Sequence, residues 1–184
     1  MIEYIDEITV SHELMLEDYQ SIVQKAFGSA EWNKDTIERG TGIQLRGADL
    51  LDTTNYNVNT PPPSEWDAII EKYSFWNDAC PEYTKTAIES LSEYIGFKVH
   101  RARYLQLLPG LGLPIHTDYG GPRYHFPLIT NPKAIFGTVS DIDTFENPQI
   151  EHMPINNFFY QLDTTKPHFV FNAGKSPRIH LVIS

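Results

Sequence analysis

The chain has 184 residues, a formal net charge of −10 and a hydrophobic fraction of 41%. That length suits one domain with a real core and no need of staples, and the acidic balance argues against a general nucleic-acid binder, which would carry a basic stripe. A single cysteine, Cys80, rules out an intrachain disulfide and fits a reducing compartment; it is read as a small packed residue on a helix, not as a nucleophile. No apolar run approaches the ~18 residues needed to span a membrane, and the acidic start MIEYIDEITV is not a signal peptide. The expectation is therefore a cytoplasmic protein with no membrane or nucleic-acid partner.

In chain order, Met1 to Val10 alternates loosely and predicts a short edge strand. Ser11 is placed to cap a helix running to about Phe27, with Leu14, Tyr19, Ile22, Val23 and Ala26 as its apolar stripe and Gly28 as its stop. Gly40 to Leu51 predicts a strand with glycine punctuation, and Asp52 to Pro63 a loop. A second helical region opens at Ser64, with Asp67 completing a capping box and Trp66, Ile69, Ile70, Tyr73 and Trp76 forming an aromatic-rich stripe read as core. A third helix runs from about Pro81 to Ile95, its apolar face Ala87, Ile88, Leu91 and Ile95, and Gly96 ends it.

From Phe97 the texture changes. Short β-branched and aromatic runs recur between Pro and Gly: Val99 to Leu108, Ile115 to Asp118, Tyr124 to Ile129, Ala134 to Val139, Phe158 to Leu162, Phe169 to Asn172 and Ile179 to Ile183. Such spacing predicts a β-sandwich or barrel. The expected plan is one domain, with residues 1–97 a mostly helical support and residues 98–184 a compact β core carrying the site.

His116-Thr117-Asp118 is the chemical centre of that core. On a strand, residues i and i+2 share a face, so an imidazole and a carboxylate converge. His168 follows 52 residues later, far enough for the chain to return beside them. Alone, a His-x-Asp is an ordinary feature of a surface hairpin. Two histidines and a carboxylate with open positions opposite match the facial triad of non-haem Fe(II) oxygenases. Arg178 and His180 alternate on the last strand, away from Ile179, Leu181 and Ile183. An inward-facing arginine needs an anion. Arg123 and His125 alternate on the strand after the Gly120-Gly121 turn and add a cation near the pair. The set fits a small dicarboxylate that chelates the metal.

The pieces LLPG, HTD, RYHFPLITNP, YQLDTTKPHFVFN and RIHLVIS occur in that order between about Tyr104 and Ser184, a stretch of about 80 residues. In order and spacing this stretch resembles the aspartyl/asparaginyl β-hydroxylase-like branch of the 2-oxoglutarate and Fe(II)-dependent oxygenases, which includes free-proline hydroxylases. The resemblance implies a double-stranded β-helix, or jelly roll, with helices packed on one side. It implies Fe(II) at His116, Asp118 and His168, the distal carboxylate of 2-oxoglutarate at Arg178, co-substrate contacts from Arg123 and His125, O2 as the second substrate, and His180 as a further candidate. Asp163 and Asn172 are candidates to orient His168. The sequence departs from relatives at Leu105, where a polar contact is expected and Tyr104 or Gln106 is a possible stand-in, and at Asn156-Asn157, where Gly-Glu is common.

Three functional classes stay open on sequence alone. One is a hydroxylase of a peptidyl Asp- or Asn-type side chain or of a free amino acid. The second is a non-catalytic jelly-roll module that holds a small carboxylate with Arg178 and Arg123. The third is a zinc hydrolase, against which the lack of a general-base Glu on the HTD strand weighs. Ile135 to Asn157, with Asp141, Asp143, Glu146 and Glu151, reads as an acidic loop able to face a cationic or zwitterionic substrate.

Overall fold

The computed structural model describes residues 2–28, 42–51, 66–118, 120–141, 143 and 145–184, apart from the side chains of Trp66 and Ile69. Ser64, the 61–63 proline run and Tyr119 lie outside the described residues.

Two antiparallel sheets face each other. The larger holds β1 (Ile2–Ile5), β8 (Phe159–Leu162), β5 (Arg123–Ile129), β10 (Arg178–Ile183), β3 (Ala102–Leu107) and β2 (Gly42–Gln44), in that order. The smaller holds β4 (Gly112–His116), β9 (His168–Asn172), β6 (Ala134–Thr138) and β7 (Gln149–His152). From β3 onward the chain passes back and forth between the sheets, staying in one sheet only for the β6–β7 hairpin. This is the jelly-roll, or double-stranded β-helix, order. The larger sheet takes its outer strands β1 and β2 from the first 97 residues.

Period-two alternation divides the larger sheet into two chemical faces. Tyr104, Tyr124, Phe126, Ile179, Leu181 and Ile183 point to the helices and share a core with Met15, Ile22, Val23, Ile88 and Leu91. Arg103, Leu105, Arg123, His125, Arg178 and Val182 point the other way and line a cavity against the smaller sheet. The fully buried helix-side rings and aliphatics drive the assembly, since each buried Leu or Ile is worth roughly 1.5–3 kcal/mol.

α1 (His12–Phe27) begins at Ser11, whose Oγ accepts from the Leu14 N–H at 3.3 Å, and ends at Gly28. Met15 is buried where the sequence pointed to Leu14, which is exposed. α2 (Trp66–Lys72) is short; Tyr73 just beyond it is buried, and Ile70 is exposed. α3 (Glu82–Ile95) has Pro81 at its N-cap, which offers no side-chain acceptor. Asp18 of α1 supplies one instead, its Oδ2 accepting from Thr84 N and Thr84 Oγ1, both at 2.8 Å. The Tyr104 hydroxyl lies 3.0 Å from the same Thr84 Oγ1, so one polar chain ties both helices to the sheet. Cys80 sits in the turn ahead of α3 and not on a helix; burial pushes its thiol up to about 12, which removes it as a neutral-pH nucleophile.

Three expectations change on the smaller sheet. Residues 135–157 are not one loop: β7 pairs with β6 across Ile135–His152. Glu151 is not a loop acid, because its carboxylate accepts from the Ile2 N–H at 3.1 Å. Asn156 and Asn157 build a turn of their own. Asn156 Oδ1 accepts from Phe158 N, and Asn157 accepts from Val10 N and His12 N, so the pair anchors the entry to α1.

Gly112 is required by close approach. A Cβ there would lie 2.6 Å from the Val170 carbonyl on β9, which is backbone and cannot move alone. Gly112→Ala is expected to force β4 and β9 apart and cost about 1–3 kcal/mol of stability, read as a lower urea midpoint. The same strand pair carries both site histidines, so metal affinity falls with it.

Candidate metal centre

β4 and β9 place His116 directly opposite His168. A register shift lies between Leu113 and His116, and β4 ends at His116. Asp118 is therefore past the strand end, not on the strand as its i+2 spacing predicts. Its position is set instead by its N–H, which donates to the Thr164 carbonyl at 2.8 Å. The next turn uses Gly120 at φ 92° and Gly121 at φ 104°, conformations glycine adopts without a Cβ penalty, and delivers Arg123 back toward Asp118.

One ligating atom from each of His116, Asp118 and His168 lies within 4.8 Å of the others. His116 Nε2 is 3.9 Å from Asp118 Oδ1, and His168 Nε2 is 3.8 Å from Asp118 Oδ2. These gaps are too long for hydrogen bonds and short enough to share one ion. The protonation pattern points the same way. His116 Nδ1 is 2.7 Å from the Pro114 carbonyl, and His168 Nδ1 is 2.9 Å from the Lys166 carbonyl. A carbonyl only accepts, so both Nδ1 atoms carry the hydrogen. Both Nε2 lone pairs then face the carboxylate, the pattern of metal-ligating histidines.

Burial acts to raise the Asp118 carboxyl, but Arg123, His168 and His116 outweigh it and hold it below its ordinary value. Arg123 Nε donates to Asp118 Oδ2 at 3.1 Å. Burial lowers His168, partly offset by its bond to the Lys166 carbonyl. Phe136 stacks on the His168 ring at 5.5 Å and shields it. The triad thus offers two imidazole nitrogens and one carboxylate oxygen, a donor mixture suited to a divalent first-row metal.

His116, Asp118, His168, Arg123, His125 and Arg178 all line one cavity of about 70 Å³. His180 stands behind it, 1% exposed. Arg178 is 5% exposed, and burial pulls its guanidinium down to about 10. Among the described residues no carboxylate pairs with Arg178; its one partner is His180 Nδ1, 3.0 Å from Nη2. Among the described residues Asp118 is the single carboxylate lining the cavity.

Sequence reasoning missed Arg103, Thr164 and Phe136. Arg103 shared a face with Leu105 by strand alternation, and that signal was available. Tyr104 does not stand in for the missing polar contact at Leu105, because it points to the helices. Asp163 and Asn172 do not orient His168. Asp163 closes its own turn through Thr165 N and Lys166 Nζ. Asn172 bonds the carbonyls of Leu107 and Ser176 and fastens the turn before β10.

A family model, aspartyl/asparaginyl beta-hydroxylase, matches residues 10–184. The chain belongs to the aspartyl/asparaginyl beta-hydroxylase family. A search of curated proteins found no match. Solved structures similar to this hydroxylase-family chain include an oxalate oxidase in complex with glycolate, at 16% identity over 45% of this chain and 40% of that one, TM-score 0.36. A predicted oxalate decarboxylase from Thermotoga maritima is 16% identical over 50% of this chain and 70% of that one, TM-score 0.36. A cupin domain from Bordetella pertussis is 13% identical over 47% and 88%, TM-score 0.37. Among the described residues no helix is long and apolar enough to cross a membrane.

Burial sets a pH dependence at the back of this hydroxylase-family site. His125 and His180 are both held well below the ordinary imidazole value, by burial first and then by Arg178. Both rings are neutral in the folded state, while the unfolded chain takes up protons below about 6.5. The unfolded state therefore binds more protons, and stability rises with pH through that window. Between pH 7.5 and 5.5 the loss is on the order of 1 kcal/mol per ring. Urea unfolding at the two pH values is expected to show it, and His180→Asn to remove roughly half.

Proposed function

We propose that this chain is a 2-oxoglutarate- and Fe(II)-dependent dioxygenase that hydroxylates an amino-acid or peptidyl side chain. The observation that carries this reading is the pairing in one cavity of a convergent His116–Asp118–His168 set with Arg178, a buried cation that has no carboxylate partner among the described residues. A metal site alone fits many reactions. A metal site facing an uncompensated guanidinium asks for a ligand that is a chelator at one end and a carboxylate at the other.

Each residue has a role that its geometry supports. His116 and His168 present Nε2, and Asp118 an oxygen, to the metal. When bound, Fe(II) with 2-oxoglutarate and O2 supplies the oxidation that places a hydroxyl on an unactivated C–H bond. Arg178 takes the distal carboxylate in a charge-assisted contact. Arg123 holds the Asp118 carboxylate in place and keeps it ionised. Leu105, Leu113, Phe136, Val170 and Val182 form the apolar wall that keeps water from the centre. With Asp118 occupied as a ligand, the lining offers no second carboxylate as a general base among the described residues, which disfavours metal-assisted hydrolysis.

Succinate release is the test. Purified protein with Fe(II), ascorbate and 2-oxoglutarate is expected to form succinate slowly alone, and faster with one member of a panel of free amino acids and Asp- or Asn-containing peptides. Zn(II) in place of Fe(II) should give none. Tight 2-oxoglutarate binding with no succinate under any addition would favour the binding module.

A further inference from the structure

We propose that His180 is a positioning residue that holds the Arg178 guanidinium toward the cavity and fixes His125 as the tautomer whose Nε2 is a bare hydrogen-bond acceptor. The argument starts from Arg178. A guanidinium only donates, and Arg178 Nη2 lies 3.0 Å from His180 Nδ1. His180 Nδ1 must therefore be the lone-pair nitrogen, and its hydrogen sits on Nε2. That Nε2 is buried with no hydrogen-bond partner. An orphaned N–H is an unfavourable choice in isolation, so the bond to the arginine decides the tautomer.

The choice passes to the next ring. His125 Nδ1 lies 3.3 Å from the same His180 Nδ1. Two bare nitrogens would repel, so His125 must donate from Nδ1, which leaves its Nε2 without hydrogen. His125 lines the cavity, whereas His180 does not. The two rings meet edge to face at 5.6 Å, and β5 and β10 hold them as near neighbours through the Pro127–His180 and His125–Val182 pairs. Burial keeps both rings neutral, so neither escapes the constraint by taking a second proton.

The functional part of the proposal rests on the oxygenase reading. His180 pre-sets Arg178 before the co-substrate arrives.

The test separates the two layers. The full chain is labelled with 15N-histidine, loaded with Zn(II) so that the signals stay sharp, and read by two-bond 1H–15N correlation at pH 7.5. Peaks are assigned by loss in His125→Gln and His180→Asn. The expected pattern is a protonated Nε2 on His180 and a protonated Nδ1 on His125. A protonated Nδ1 on His180 overturns the proposal. Calorimetric titration with 2-oxoglutarate reads the positioning role. His180→Leu is expected to weaken binding roughly tenfold, with zinc affinity unchanged. His180→Asn, whose Oδ1 can replace the Nδ1 acceptor, is expected to restore most of it. Equal weakening in both variants, or wild-type affinity in His180→Leu, overturns positioning. If His180→Leu does not fold, the His180→Asn titration and the wild-type spectrum still decide. A wild-type spectrum with the expected tautomers and no 2-oxoglutarate binding would sink the oxygenase reading and leave the tautomer pair standing.

Discussion

Asp118→Ala is expected to abolish turnover and to lower metal affinity by at least about 100-fold, a larger loss than supporting residues around a metal typically cause. The reason is charge as much as geometry. Among the described residues Asp118 is the only carboxylate lining the cavity, and Arg123, Arg103 and Arg178 line it too. Removing it turns an anionic donor set into two neutral imidazoles beside cations, which repel a divalent ion. Arg123 also loses the partner that its Nε holds at 3.1 Å. Asp118→Asn keeps the shape and should lose nearly as much, because an amide oxygen carries no charge. Metal titration followed by succinate release checks both variants. Full coupled turnover in Asp118→Ala would remove Asp118 from the ligand set.

Arg178→Met is expected to move stability and function in opposite directions. The guanidinium is deeply buried, and among the described residues His180 is its only hydrogen-bonding partner. Replacing an uncompensated buried charge by an apolar side chain of similar length is often stabilising by about 1–3 kcal/mol. On the proposed reading the same change takes away the cation that meets the distal carboxylate, so 2-oxoglutarate affinity should fall by roughly two orders of magnitude, with metal affinity nearly unchanged. Urea unfolding and calorimetry on one preparation give both numbers. A residue kept for structure would lose stability on substitution; one kept for binding gains it. Loss of stability with intact co-substrate affinity would make Arg178 a structural residue.

Much of this architecture was legible because its causes are local. Ser11 and Gly28 bound α1 through cap chemistry that depends on neighbouring residues alone. The alternation of Arg178 and His180 with Ile179 and Leu181 assigned the two faces of β10 correctly, since the pleat has a fixed period. His116 and His168 stood out by residue type, and their pairing across β4 and β9 followed once a return strand was assumed. What stayed hidden depended on tertiary geometry. β7 reads QIEH, three of its four residues polar or charged, and becomes a strand only because β6 offers an edge. The register shift before His116 cannot be read from spacing, so Asp118 was placed on a strand that it has already left. Arg103 is the exception, because its alternation with Tyr104 already put it on the Leu105 face. Asp163 and Asn172 flank His168 in sequence, but their hydrogen bonds go to turns.

The central claim is that one cavity binds Fe(II) and 2-oxoglutarate together. Anaerobic addition of Fe(II) and then 2-oxoglutarate, followed in the visible range, tests it most directly. The account predicts a weak charge-transfer band that needs both additions and disappears in His168→Ala. No band in the wild type, with neither iron nor 2-oxoglutarate retained on dialysis, would contradict it and leave a jelly-roll scaffold without the proposed cofactor site.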